Sequence, residues 1–265
     1  MKYEGMYYEI NGEGYPIVFI PGVGSSHTMF GPQVDYFSQN FQTITLDLRG
    51  TGASDDMERV NPWKCAKAHA ISIIQLLDHL KIEQAIFMGV SYGGIVAQNV
   101  AFMFPEYISK LILLDTYANM FPKNIKEVQL TLFGAAVALS SYLPKKWIRP
   151  FFSHYKDWNL AYEEMMSVID NRKAKSVLVQ MLGCLGMNYL PKLKNVSIPI
   201  LGIVGDLVPI VVQKSKEITD AAPEGRLIVV KNSFDPTNLC QPTLVNEAVY
   251  SFIYEESLIK QEIRA

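Results

Sequence analysis

Cysteine is scarce in this chain. There are three in 265 residues, Cys65, Cys184 and Cys240, far apart and odd in number. Such a set builds no disulfide framework and has no metal-ligand spacing. It fits a reducing compartment. An excess of charge of one sign is also lacking: 24 basic and 26 acidic residues leave a net −2, without the basic footprint of a nucleic-acid partner. Glycine (17) and proline (14) are too few for a fibrous or low-complexity chain. Long hydrophobic runs are missing. The longest, residues 130–143, has roughly 14 positions, short of the about 20 that span a bilayer. The stretch Met1-Lys2-Tyr3-Glu4-Gly5 has no apolar signal-peptide core. With no address, the protein is expected to be cytoplasmic. Asn195-Val196-Ser197 matches a glycosylation acceptor but, without a secretion signal, reads as coincidence. No metal, nucleotide or other cofactor is implied.

What is present is a core. Hydrophobic residues make up 49% of the chain and charged residues 19%, the mix of a globular protein. Apolar runs at 17–20 and 43–46 read as strands. Ile73, Leu76, Leu77 and Leu80 mark one face of a helix. Residues 85–88 read as a buried strand, 93–104 as a helix stopping before Pro105, and 111–114 as a strand ending at Asp115. Strands alternating with helices predict a parallel sheet covered on both faces. From Tyr117 to Asn195 the periodicity is helical throughout. Strand signals return at 198–204 and 226–230. A helical cap (117–195) is therefore expected to interrupt one α/β core (1–116 and 196–265). Its aromatics Phe121, Phe133, Trp147, Phe151, Phe152 and Trp158 are expected to form mostly the cap's own core.

The strongest motif is Gly89-Val90-Ser91-Tyr92-Gly93, followed by Gly94. It has the G-x-S-x-G pattern with a strand before it and a helix after it, the context of a nucleophile elbow. Small flanking residues let a strand turn directly into a helix. The serine oxygen is then presented at the helix N-terminus, where the dipole favours negative charge. A second glycine-rich turn, Pro21-Gly22-Val23-Gly24-Ser25-Ser26, follows the first strong strand. Val23 and Tyr92, the residue after the serine, are the candidate N–H donors of an oxyanion hole. A dinucleotide-binding reading of the same turn would need glycine where His27 stands, and no phosphate-loop lysine follows.

With these residues in view, the sequence resembles the α/β-hydrolase family in its short, cap-bearing form. Pro21-Gly22, the stretch from Asp47 through Arg49, Gly50 and Gly52 to Ser54, the elbow, and Gln241-Pro242 carry the resemblance over nearly the whole chain. It implies a mostly parallel sheet with helices on both faces and an inserted cap. It also implies a serine nucleophile, an acid after a late strand and a histidine after the last strand. Here the chain departs from the pattern. The acid position holds Val208 and the histidine position, seven before Pro242, holds Asp235. A carboxylate with a pKa near 4 can accept a proton at pH 7 but rarely return one. Burial or a second carboxylate would raise that pKa, and Asp206 and Asp115 are the candidates to supply it.

The remaining candidates weigh less. His27 follows the oxyanion turn and His154 lies in the cap; His69 and His79 belong to the helix before the elbow strand, on the wrong side for Ser91. Asp47 and Arg49 read as loop-holding residues, and the cysteines as inert. Three readings stand: hydrolysis of a small, largely apolar ester or thioester by Ser91 with a degenerate triad; binding of a small apolar ligand with little catalysis; or a lyase or cyclase step using Asp235.

Overall fold

A computed structural model describes residues 1–57 and 60–262, with side chains through residue 254. Eight strands form one sheet: β1 (Lys2–Tyr3), β2 (Met6–Asn11), β3 (Tyr15–Ile20), β4 (Phe41–Leu46), β5 (Ala85–Val90), β6 (Ile108–Leu114), β7 (Ile200–Gly205) and β8 (Gly225–Val230). Their order is β1-β2-β4-β3-β5-β6-β7-β8. Strands β3 to β8 run parallel, and the β1–β2 hairpin closes one edge antiparallel. That hairpin carried no clear sequence signal.

Every residue of β5 is buried, as expected for a central parallel strand covered on both faces. Alternate residues divide the core. Ile17, Phe19, Ile86, Met88, Ile112 and Leu201 face one layer, closed by helices α1 (Gly31–Phe37) and α11 (Pro242–Glu262). Val18, Ile20, Phe87, Leu111, Leu113 and Ile200 face the other, closed by α2 (Cys65–His79) and α3 (Tyr92–Met103). Strand β3 sits between β4 and β5, so the β3–β4 and β4–β5 crossovers run in opposite directions along the sheet. The carboxyl ends of β3 and β5 thus meet at the kind of switch point where open α/β sheets bind ligands.

Between β6 and β7 come α4 (Ile125–Ser140), α5 (Lys145–Ile148), α6 (Asn159–Asn171), α7 (Ala174–Cys184) and α8 (Leu190–Leu193). After β7 follow α9 (Pro209–Ala221) and, beyond β8, α10 (Thr237–Cys240). The start of α4 is fixed by a reciprocal cap. The Asn124 side chain accepts from Glu127 N (3.1 Å), and its amide donates to Glu127 Oε1 (2.9 Å). The other Glu127 oxygen meets Lys214 Nζ of α9 at 2.8 Å, both side chains being buried. Lys214 also faces Glu217 at 3.4 Å. This ion pair ties the first turn of the cap to the core.

One expectation about the cap is corrected. Phe121, Phe133, Trp147 and Phe151 are exposed, not cap core; only Phe152 and Trp158 pack against a core cluster. For Phe133 the reason is the orientation of α4: with Glu127 drawn inward onto Lys214, the other side of the helix, with Leu132, Phe133 and Leu139, turns outward.

Glu127→Ala leaves Lys214 buried with only the more exposed Glu217 beside it. Such a loss costs about 2–3 kcal/mol, less than for a fully enclosed unpaired charge. Chemical denaturation should show it, and Glu127→Met with Lys214→Met should recover most of the loss.

Candidate active site

The turn from β5 into α3 sets the site. Ser91 has φ 51° and ψ −114°, a conformation that side-chain-bearing residues rarely adopt and that persists only where neighbours hold it. Neighbours do. A β-carbon on Gly93 would lie 2.0 Å from the Ile20 carbonyl oxygen, one on Gly89 2.5 Å from Gly93, and one on Gly94 2.6 Å from Thr116. Only hydrogen atoms fit at these three positions. Ser91 N donates to Leu114 O (2.8 Å), extending the β5–β6 ladder one residue past the strand, and Thr116 Oγ1 donates to Ser91 O (2.7 Å). The Ser91 side chain remains partly accessible.

The candidate oxyanion donors lie beside it. A β-carbon on Gly22 would lie 3.6 Å from the Ser91 β-carbon. Among the described residues, Val23 N–H makes no backbone or side-chain hydrogen bond. Tyr92 opens α3, so its N–H has no intrahelical acceptor. Its ring is buried and its hydroxyl lies 3.2 Å from both Cys65 Sγ and His69 Nδ1, which anchors the helix start. The cap grips the oxyanion turn: Gly24 N donates to Gln180 Oε1 of α7 (3.2 Å), and Ser25 and Thr28 hydroxyls donate to the buried Glu164 carboxylate of α6.

The Asp235 carboxyl lies beside Ser91 and faces Asp115. Burial, reinforced by the negative charge of Asp115, pushes the Asp235 carboxyl well above the usual carboxylate range, against the opposing influence of the Ser91 side chain. Asp115, the other member of the pair, follows β6 with φ 47°. It is buried and accepts three hydrogen bonds: from Thr237 N (2.7 Å), Thr237 Oγ1 (2.8 Å) and Gly205 N (3.2 Å). Burial lifts it to about 6, and these donors hold it down from going higher. Asp115 is thus the ionised partner and Asp235, facing that anion, the protonated one. Tyr155 of the cap donates its hydroxyl to the Asp235 main-chain carbonyl.

Of the two supporting acids expected, the structure brings Asp115 to the pair and leaves Asp206 out of it. Asp206 Oδ2 faces Lys231 at 3.3 Å. Val208 caps α9, half-buried. No histidine is brought to Ser91 among the described residues. His27 donates to Asp47 (2.8 Å) and faces Glu9 (3.4 Å), and the Asp47 hydrogen bond raises its pKa against the opposing effect of burial. His69 is buried behind the elbow, held neutral by desolvation down to about 4. His79 stacks on Tyr3. His154 is exposed, its Nδ1 at 3.0 Å from Phe151 O and its ring against Phe234. Asp47 also accepts from Ala53 N (2.7 Å), the work of a loop-holding residue. Cys240 is buried, and burial pushes its thiol up to about 11. No group of three or more His, Cys, Asp or Glu residues among those described is arranged to hold a metal ion.

Glu164, Gln180 and Thr237 escaped the sequence reading. Glu164 had a legible signal, because it shares a helical stripe with Ala161 and Val168 (i−3, i+4), both apolar. Thr237 had none; its role depends on Asp115, 122 residues away.

Comparison with known proteins agrees with this fold. The family model for the alpha/beta hydrolase fold matches residues 15–233. 3-Oxoadipate enol-lactonase 2 of Acinetobacter baylyi is 27% identical over 236 residues, 88% of this chain and 86% of that protein. The solved structure of BpoC from Mycobacterium tuberculosis H37Rv superposes with a TM-score of 0.79 at 25% identity, covering 94% of this chain and 96% of that one. The enol-lactonase of Burkholderia xenovorans LB400, at 20% identity, has the same fold with a TM-score of 0.79 over 94% and 96% of the two chains.

The carboxyl pair predicts a pH-dependent cost to folding. Asp235 holds its proton in the folded state at pH values where the unfolded chain has lost it, so the folded state binds more protons and stability falls as pH rises above about 4. The slope cannot exceed about 1.4 kcal/mol per pH unit for one proton. Asp235→Asn removes this term. The variant should gain in Tm over the parent between pH 5 and 8 and show no gain at pH 4; equal differences at both would place the pair's charge elsewhere.

Proposed function

Because the chain belongs to the α/β-hydrolase fold family, we propose that it is a serine hydrolase acting on a small, largely apolar ester or thioester. Ser91 is the nucleophile, and Asp235 stands in the place of the family's histidine. The observation that carries this reading is the strained Ser91 at the head of α3, with the Asp235 carboxyl beside it. The names of its relatives point the same way: an enol lactone is a cyclic ester. A cytoplasmic setting fits the three free thiols.

The chemistry follows from the geometry. In the fraction of molecules whose Asp235 has lost its proton, Ser91 Oγ attacks the carbonyl carbon and its own proton passes to that carboxylate. The charge that develops on the carbonyl oxygen is met by the N–H groups of Val23 and Tyr92. As the tetrahedral centre collapses, the proton goes to the leaving alcohol or thiol. Water then repeats the sequence on the acyl-serine, with Asp235 taking its proton and returning it to Ser91. A carboxylate near pKa 4 would hold the proton too weakly to return it. The Asp115 anion and burial shift Asp235 toward the range where it both accepts and donates. Activity should remain low, since loss of histidine from a Ser-His-Asp unit costs roughly 10⁶ in turnover where measured, while positioning and the oxyanion hole alone leave roughly 10³–10⁴ over water.

A second reading, a ligand-binding site with little turnover or a lyase or cyclase step at Asp235, is favoured by one observation: the four histidines are all engaged elsewhere. Hydrolysis of a short p-nitrophenyl ester separates the two. Under the hydrolase reading the parent shows slow turnover that Ser91→Ala abolishes, and kcat/KM rises with pH as Asp235 ionises. Labelling by an organophosphonate should be slow. Asp235→His should raise turnover up to ~70-fold, the ratio of losing histidine to losing only the acid, and Val208→Asp in addition should raise it further. A parent with no Ser91-dependent turnover would favour the binding reading.

A further inference from the structure

The cap's first helix is amphipathic in the inverted sense. A helix on a soluble protein ordinarily buries its apolar stripe and exposes its charges. Helix α4 does the reverse. Ile125, Val128, Leu132 and Leu139 lie at i, i+3, i+7 and i+14, within one stripe of an α-helix. That stripe faces outward, with Ile125 70%, Leu132 64% and Leu139 62% exposed. The carboxylate of the helix, Glu127, is on the buried side. The orientation is fixed at two points, by the Asn124–Glu127 cap and the Glu127–Lys214 ion pair, so the outward stripe is built in. Tyr142, Trp147 and Phe151, in the chain that follows, are exposed as well, Phe151 at 78%.

Charge accompanies this surface. Residues 121–156 hold six basic side chains and one acid, the buried Glu127, in a chain whose net charge is −2. Lys123 pairs with Glu217, and Lys145 and Arg149 share Asp170. Lys126 and Lys146 are exposed and form no ion pair among the described residues. Lys126 lies in the first turn of α4 and Lys146 beside Trp147, so the two flank the apolar stretch. Leucine, phenylalanine and tryptophan bordered by lysine are the composition of helices that lie in a bilayer interface, apolar side in the acyl boundary and basic side chains at the headgroups. A second copy of this chain would set the same basic border against itself; an anionic bilayer complements it.

We propose that the outward face of α4, together with Tyr142, Trp147 and Phe151, docks this protein on the surface of an anionic lipid bilayer. No span is involved: no described helix is long and apolar enough to cross a membrane. The inference does not depend on the chemistry at Ser91.

The test is flotation of the full chain with vesicles of phosphatidylcholine and phosphatidylglycerol (7:3), against phosphatidylcholine alone. The parent should float with the anionic vesicles and release in high salt. Lys126→Glu with Lys146→Glu should weaken partitioning by at least ~30-fold, the factor for two basic side chains near an anionic surface. Leu132→Ser with Leu139→Ser should weaken it by more than that. Ser91→Ala should bind like the parent. Circular dichroism melts establish that the variants fold. As a measurement independent of those variants, doxyl-labelled lipid should quench tryptophan fluorescence in the parent and much less in Trp147→Phe. A parent that stays with the buffer, or that binds neutral and anionic vesicles alike, overturns the proposal. So does a dimer in sedimentation velocity that Leu132→Ser with Leu139→Ser dissociates, which would make this face a contact between copies.

Discussion

The site depends on a strand that becomes a helix with no loop between. Ser91 can hold a positive φ only because Gly89, Gly93 and Gly94 let three pieces of backbone and Thr116 approach to distances that no β-carbon survives. The adjacent strand repeats the device. Asp115, one residue past β6, also has a positive φ and donates its N–H to Ile203 O (2.9 Å). Both strands thus run one residue beyond their regular ends and then turn sharply, which brings the serine and a carboxylate to the same level of the sheet. Residues held this way lose little freedom when a ligand arrives, because the cost of ordering them was met in folding.

Electrostatics then assigns the two carboxyls different states. They share a site but not an environment. Asp115 accepts three hydrogen bonds, two of them from Thr237, and stays charged; Asp235 lies beside Ser91 and faces that charge. This is the arrangement by which environment separates two chemically identical groups. It also gives Thr237 a purpose: it positions Asp115 and, through the short 235–237 segment, fixes the spacing of the pair. A carboxyl beside serine is a poor imitation of imidazole at its ordinary pKa, and the neighbouring anion is what moves it in the useful direction.

The fold and the elbow were legible because both are local. Strand and helix periods and the G-x-S-x-G spacing are all read within a few residues. What was not legible depends on distance along the chain. Nothing near Asp206 indicates that its carboxylate faces Lys231, and nothing near Asp115 indicates that Thr237 completes its shell. The four histidines illustrate the same limit: each lay at a plausible position, and each is engaged by a partner that only the fold supplies, Asp47 for His27, Arg49 O and Tyr92 for His69, Tyr3 for His79 and Phe151 O for His154.

The cap shows how one buried charge can reverse a sequence-level expectation. Apolar residues at helical spacing ordinarily mark the inward face, and α4 departs from that rule. The rule counts hydrophobic transfer alone. In α4 it competes with Glu127, whose carboxylate finds the buried Lys214 ammonium and two capping contacts on the opposite side of the helix. Breaking a buried ion pair leaves an uncompensated charge, and the pair and the cap act together to fix which side of the helix faces inward. The helix therefore turns its charge inward and its leucines outward. The same cap holds the oxyanion turn through Glu164 and Gln180, so the element that presents an apolar face to the surroundings is mechanically continuous with the element that shapes the site.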